Sequence, residues 1–279
     1  MTSVGIVTDS TADLPPALSN LPGVAMVPLV VSWDGKTYRD KIDLTTADFY
    51  RRLRTSKTLP KTGAPSIAAF EAAFRQQLER FEQVVCINLA APLSSTYSVA
   101  RQAAQAVAPE NIHVVDSGSV SICLAWLVEL AASLAEQGQP ADAIVEQLHH
   151  ARSRLRILAL VETLDFLQRG GRIGRARALA GTLLSVKPIL SVTDGEVAPL
   201  ERVRTMKNAL RRLVELAMGL GPVERVGVMD GDAGPNAGEV IRQFQAHVPQ
   251  LQVERGELGP VVGTHGGPGV VGVGVMLAG

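Results

Sequence analysis

Aromatic residues are scarce in this chain, only 4% of 279 positions. Its core must therefore be built from Ala, Val, Leu and Ile, within an apolar share of 46%. That composition suits α/β layers and argues against disorder. An excess of charge is missing too. The 27 basic residues balance 27 acidic ones, which removes the global electrostatic reason to expect nucleic acid as a partner. The longest basic cluster, RSRLR at 152–156, is too short for a nucleic-acid patch and reads as a solvated helix end. Cysteine is limited to Cys86 and Cys123, in apolar stretches with no CxxC or Cys/His spacing. They read as buried free thiols rather than a disulfide or a metal site. There is no apolar run of about 18 residues, so no helix is expected to span a membrane. The opening MTSVGIVTDS has neither the basic n-region nor the long apolar stretch of a signal peptide. A soluble, cytoplasmic protein is the expectation. No G-x-x-x-x-G-K-[ST] loop occurs either.

What is present is an alternation of strand and helix signals in a chain long enough for two domains. VGIVTD (4–9), GVAMVPLVV (23–31), QVVCINLA (83–90) and IHVVD (112–116) read as strands, and WDGK (33–36) as a hairpin turn. Apolar Ile67, Phe70, Phe74, Leu78 and Phe81 recur at helical spacing after Ser66, a candidate N-cap. Further helices are expected over 94–107, 119–137 and onward to about Arg154. This order predicts a parallel sheet covered by helices. From ILALVE (157–162) the pattern changes. VKPILSV (186–192) and EVAPLERV (196–203) flank the turn TDG. A helix (205–219), a strand (224–230), a helix (235–247) and the strand QLQVERG follow. The fold class expected is α/β, with two domains. Residues 1–156 form a three-layer α/β/α domain with a parallel sheet, and 157–279 a two-layer α/β domain with a mixed sheet.

Ligands of open parallel sheets bind beyond the carboxyl ends of the strands. Those ends carry TDST (8–11), APLSSTY (91–97) and DSGSVS (116–121). Asp9, Ser10 and Thr11, like Ser117, Ser119 and Ser121, read either as helix caps or as ligand contacts. Ser94, Ser95 and Thr96 exceed what one cap requires. They sit at an expected helix start, where free N–H groups favour an anion. With no Lys or Arg close in sequence, a carboxylate fits better than a phosphate. Thr62, in a loop before a helix, is a further candidate hydroxyl.

The stretch GPVVGTHGGPGVVGVGVM (259–276) holds seven glycines and one histidine, His265. So many glycines let backbone turn sharply or approach a ligand closely, and imidazole can donate a hydrogen bond in either protonation state. A turn histidine with no ligand is the alternative. A serine hydrolase using Ser94 and His265, with Asp9 or Asp116, is another reading, although LSSTY lacks a G-x-S-x-G elbow. A sugar or nucleotide binder is a third.

Taken together, TDSTADLP (8–15), TGAPS (62–66), LSSTY (93–97), the DS of 116–117, LDFLQRGGRIG (164–174), KPIL (187–190), VRT (203–205) and GTHGGPG (263–269) occur in the order typical of one family. The chain resembles the DegV family, of the type that serves as fatty-acid-binding subunit of bacterial fatty acid kinase, over essentially its whole length. The resemblance implies a tunnel between the halves, with the acyl chain in the N-terminal domain and the C-terminal domain closing over the head group. Carried over by motif, the carboxylate contacts fall on Thr62, Ser94 and His265, and the head-group network on Ser95 and Arg172. Arg172 also reads as a cap on preceding helix carbonyls. Gly63 and Ala64 replace more polar loop residues of the family pattern, and Ser95 replaces a glycine. The implied ligand is a long-chain fatty acid such as palmitate, stearate or oleate, with no cofactor. The implied partners are an ATP-binding fatty acid kinase subunit and, transiently, a membrane surface. The chain would then be a substrate carrier for acyl phosphate and phospholipid synthesis, not itself an enzyme. Arg202 and Arg204 are candidates for a docking or membrane patch, or for a solvated strand end.

Overall fold

A computed structural model describes residues 3–15, 21–179 and 186–279. The chain opens with β1 (Val4–Asp9), six buried residues in a row, as a strand covered on both faces requires. The stretch expected as one strand over 23–31 is two. β2 (Val24–Val27) pairs with β1, whereas β3 (Val30–Trp33) leaves for a small antiparallel sheet. Pro28 separates them, and a residue without an N–H donor cannot continue a ladder. β3 turns at Asp34–Gly35 into β4 (Lys36–Arg39), as WDGK predicts. Helix α1 (Thr46–Thr55) and the three-residue β5 (Lys61–Gly63) follow, β5 pairing with β3.

α2 (Ile67–Leu78) is capped by Ser66, whose hydroxyl accepts from the Ala69 N–H. Phe70 and Phe74 are buried on it, but Ile67 is 40% exposed and the helix stops before Phe81. β6 (Gln83–Asn88), α3 (Thr96–Val107), β7 (Ile112–Asp116), α4 (Ile122–Glu136) and α5 (Ala141–Ser153) complete the first half. Its parallel sheet runs β2-β1-β6-β7, with α2 and α3 on one face and α4 and α5 on the other.

β8 (Leu155–Leu160) starts the second half, two residues ahead of the expected boundary. After α6 (Asp165–Arg169) come β9 (Lys187–Thr193), β10 (Glu196–Val203), α7 (Met206–Met218), β11 (Val223–Gly231), α8 (Pro235–His247), β12 (Val253–Glu257), α9 (Pro260–Gly266) and β13 (Val270–Leu277). The six strands form one mixed sheet, β10-β9-β8-β13-β11-β12. α7 and α8 cover one face. The opposite face packs on α4, which is thus clasped between the two sheets. That position explains why ICLAWLVELAASLA has almost no polar side. Every residue from Ile122 to Val128 is buried. Cys86 and Cys123 are buried free thiols, as expected, and burial pushes both thiols up, Cys123 to about 12.

Two stretches behave differently from expectation. The glycine-rich segment is not bare backbone but a short helix, α9, followed by the central strand β13. α1 is an amphipathic helix that buries Phe49, Tyr50 and Leu53.

Candidate functional site

Between the halves lies a cavity of about 140 Å³, on a scale where one water needs about 10–15 Å³. Leu29, Leu89, Leu93, Val120 and Ile122 line it from the first half. The second half supplies most of the rest, including Ile157, Ala159, Leu190, Val192, Met229 and Gly272. Both halves therefore wall this cavity, whereas the resemblance put the acyl chain in residues 1–156. Helices α2 to α5 of the first half pack directly on its own sheet. The gap falls where the second sheet faces α4. The polar residues on the cavity wall are Thr11, Thr62, Ser94, Ser121, Arg172 and His265.

Thr62 comes from β5 rather than a loop, opposite Val31 of β3. His265 comes from α9. The start of that helix is tied to the first half by Asp13, whose Oδ1 accepts from the Gly259 N–H at 3.0 Å and from Lys41 Nζ at 2.6 Å. The other Asp13 oxygen accepts from Ser121 Oγ at 2.8 Å, at the head of α4. This tie brings the two site residues together across 203 positions of sequence, with Thr62 Oγ1 and His265 Nε2 2.8 Å apart. The ring packs so tightly on Gly170 that a Cβ there would come within 2.2 Å of Nδ1. Nδ1 is buried without a partner among the described residues. Burial, and next the charge of Arg172, push the His265 imidazolium down to about 4, so the ring is neutral near pH 7.

Arg172 is held by backbone. Its Nε donates to the Leu93 carbonyl at 3.0 Å and its Nη1 to the Gly170 carbonyl at 2.8 Å. Arg172 thus serves both readings, fixing a helix-end carbonyl while lining the cavity beside His265. Ser94 Oγ lies 2.9 Å from Thr96 Oγ1 and accepts weakly from the Thr96 N–H at 3.3 Å, capping α3 from within the cavity wall. Ser95 is a correction. It occupies the N-cap position but makes no capping bond, is exposed, and does not line the cavity.

The hydroxyls at the strand ends are mostly structural. Asp9 caps the 3-10 turn at Ser10–Ala12 and accepts from the Thr11 and Leu89 N–H groups, Thr11 Oγ1 and Asn88 Nδ2. Ser117 and Ser119 bond each other through backbone. Thr11 and Ser121 alone among these six reach the cavity. The hydrolase reading fails on geometry. Ser94 and His265 are bonded to threonines rather than to each other. Asp9 is consumed as above, and Asp116 Oδ1 accepts from the Ala91 and Gly118 N–H groups. Neither carboxylate orients the imidazole. A wall this aliphatic offers a sugar or nucleotide too few polar partners. Among the described residues no group of three or more His, Cys, Asp or Glu could hold a metal, and no helix is long and apolar enough to cross a membrane.

The cavity thus carries a hydroxyl, a neutral imidazole and a guanidinium within a mostly aliphatic wall. Such a set suits one carboxylate on a hydrocarbon tail. Comparison with known proteins agrees with the motif resemblance. Residues 3–278 match the family model described as "Uncharacterised protein, DegV family". A DegV domain-containing protein of Halalkalibacterium halodurans is 36% identical over 280 residues, covering 98% of each chain. Among solved structures, one described as fatty acid binding of a DegV family protein from Thermus thermophilus superposes with TM-score 0.89 at 32% identity, over 99% of this chain and 100% of the other. A stearic acid-binding protein from Eubacterium ventriosum gives TM-score 0.87 at 29% identity over 98% of both. The chain belongs to the DegV family.

Proposed function

We propose that this protein encloses a long-chain fatty acid such as palmitate, stearate or oleate. Its carboxylate is held by Thr62, Ser94 and His265 with Arg172 alongside, and its tail lies in the cavity between the halves. The observation that carries this reading is an aliphatic cavity whose wall includes the Thr62–His265 pair. The fatty-acid binding of the Thermus thermophilus and Eubacterium ventriosum proteins supports it. Burial of each methylene contributes about 0.8 kcal/mol, so the tail supplies most of the affinity. The polar end fixes orientation, because an unpaired buried carboxylate would be heavily penalised.

The finer reading is that the bound acid is presented to a separate ATP-dependent fatty acid kinase subunit. There the carboxylate accepts the terminal phosphoryl group of ATP, and this protein then carries the acyl phosphate towards phospholipid synthesis. Such a role is cytoplasmic and involves transient contact with a membrane surface for loading. Arg202 and Arg204, both exposed beside the end of β10, are the candidate docking patch.

Native mass spectrometry of the purified protein should show a retained long-chain acid. Protein that is empty and takes up none on incubation would sink the proposal. Thr62→Val or His265→Ala should weaken binding roughly ten- to hundredfold, the worth of a hydrogen bond to a charged group. Phosphorylation of the bound acid should require an added kinase. Acyl phosphate formed from ATP by this chain alone would contradict the carrier role.

A further inference from the structure

The face of the second sheet that looks onto the cavity is arranged in cross-strand rows. Val270 pairs with Gly231 nearest α9 and the His265 end. The next row sets Met229, Gly272, Ala159 and Leu190 side by side. The one beyond holds Gly227, Gly274, Ile157 and Val192. Successive same-face rows are two residues apart, about 7 Å along a strand.

The glycines in these rows are not equivalent. At Gly227 a Cβ would fall 2.6 Å from Ile122 Cγ1, and at Gly274 2.4 Å from Ile122 Cγ2, so α4 already fills the room those residues leave. Over Gly272 the nearest atom to an added Cβ is Met229 Cβ, at 3.4 Å. The next two are the Met229 carbonyl oxygen at 3.8 Å and Leu258 Cδ1 at 4.0 Å, all ordinary contacts. Gly272 is also not among the residues with positive φ. Neither its backbone nor a close neighbour demands glycine, and a glycine inside a strand weakens it. What a side chain there would displace is the cavity itself, which Gly272 lines.

We propose that Gly272 sets how long a tail the cavity accepts, by leaving open the passage between the head-group row and the Ile157–Val192 side of the deeper row. The inference rests on the fatty-acid reading above. A side chain at 272 closes the passage, so acids too short to reach it are spared while longer ones lose the contacts of every methylene beyond it.

The test is a displacement titration of octanoic, dodecanoic and octadecanoic acids against wild type and Gly272→Val, with thermal melts of both. The loss in affinity should grow with chain length, reaching tenfold or more for octadecanoic acid and staying below threefold for octanoic acid. The acids co-purifying with the variant should shift to shorter chains. Should Gly272→Val fail to fold, Gly272→Ala carries the test, with the same trend at smaller size. A variant that folds and binds every length like wild type, or loses all lengths equally, overturns the inference while leaving fatty-acid binding intact. A wild type that binds none of the three acids sinks the fatty-acid reading, and this inference with it.

Discussion

The two faces of the second-half sheet use the same strands to opposite ends. Towards α7 and α8, β13 presents Val271, Val273 and Val275, all fully buried and packed with Leu160, Val226, Val228 and Phe244. Towards the first half the same strand presents Gly272 and Gly274, against α4 and the cavity. Because side chains alternate across a strand, one segment builds a dense core on one side and keeps the other side thin. The thickness removed on the thin side is what admits both a helix and, on the reading above, a ligand.

The contrast can be broken hardest on the dense face. Phe244→Ala should cost about 3–5 kcal/mol of stability, read as a lowered urea midpoint, with fatty-acid affinity unchanged because Phe244 faces away from the cavity. A matching loss of affinity in the folded variant would show that the two faces are coupled. Next in size is the filled part of the thin face. Gly274→Ala drives a methyl into Ile122 and should cost about 1–3 kcal/mol as overpacking, again by denaturation. Gly272→Ala, two residues earlier, should be close to neutral in the same assay. Equal costs at the two glycines would remove the distinction between filled and open room.

The smallest effect is a pH dependence at the site end. His265 is pushed down from 6.5 to about 4. Between those values the unfolded chain binds a proton the native protein refuses, so native stability falls as pH drops. Asp40, buried beside Lys41, is raised from 3.8 to about 6. There the native protein holds a proton the unfolded chain has released, and stability rises as pH drops. The two trends oppose between about 4 and 6. His265→Asn should therefore gain stability relative to wild type between pH 7 and pH 5, and Asp40→Asn should lose it, by urea midpoints at each pH. Parallel curves for all three proteins would show that neither group titrates as its surroundings dictate.

The sequence revealed most where apolar residues were continuous or regularly spaced. β1, β7 and α8 have the same bounds in the structure as in the sequence reading. Where small residues replaced large ones the signal failed. In VVGVGVM the alternation of Val and Gly is a strand pattern with one face left empty, and no apolar periodicity marks it as the middle of a sheet. α1 was missed although Thr45 accepts from the Asp48 N–H in an ordinary N-cap. At the site, the structure brings Thr62, Ser94, Arg172 and His265, which the motif order singled out, to one cavity and leaves Ser95 outside it. Nothing in the sequence signalled that Asp13 would anchor α9, a contact 246 residues long. Nor did it show that Gly170 would seat the imidazole. Both depend on how the halves dock, and local patterning carries no such information.

The place of β13 has a bearing on biosynthesis. This strand follows every other strand of its sheet in the chain, yet it is inserted between β8 and β11. While the ribosome is still making it, the earlier strands of the second half have a slot where their central partner belongs. β8 is joined to β9 on one side only, and β11 to β12. Contacts of such long sequence separation form late, leaving unpaired edges exposed in the interval. The second lobe thus cannot zip shut strand by strand as it emerges, and it must wait for its keystone.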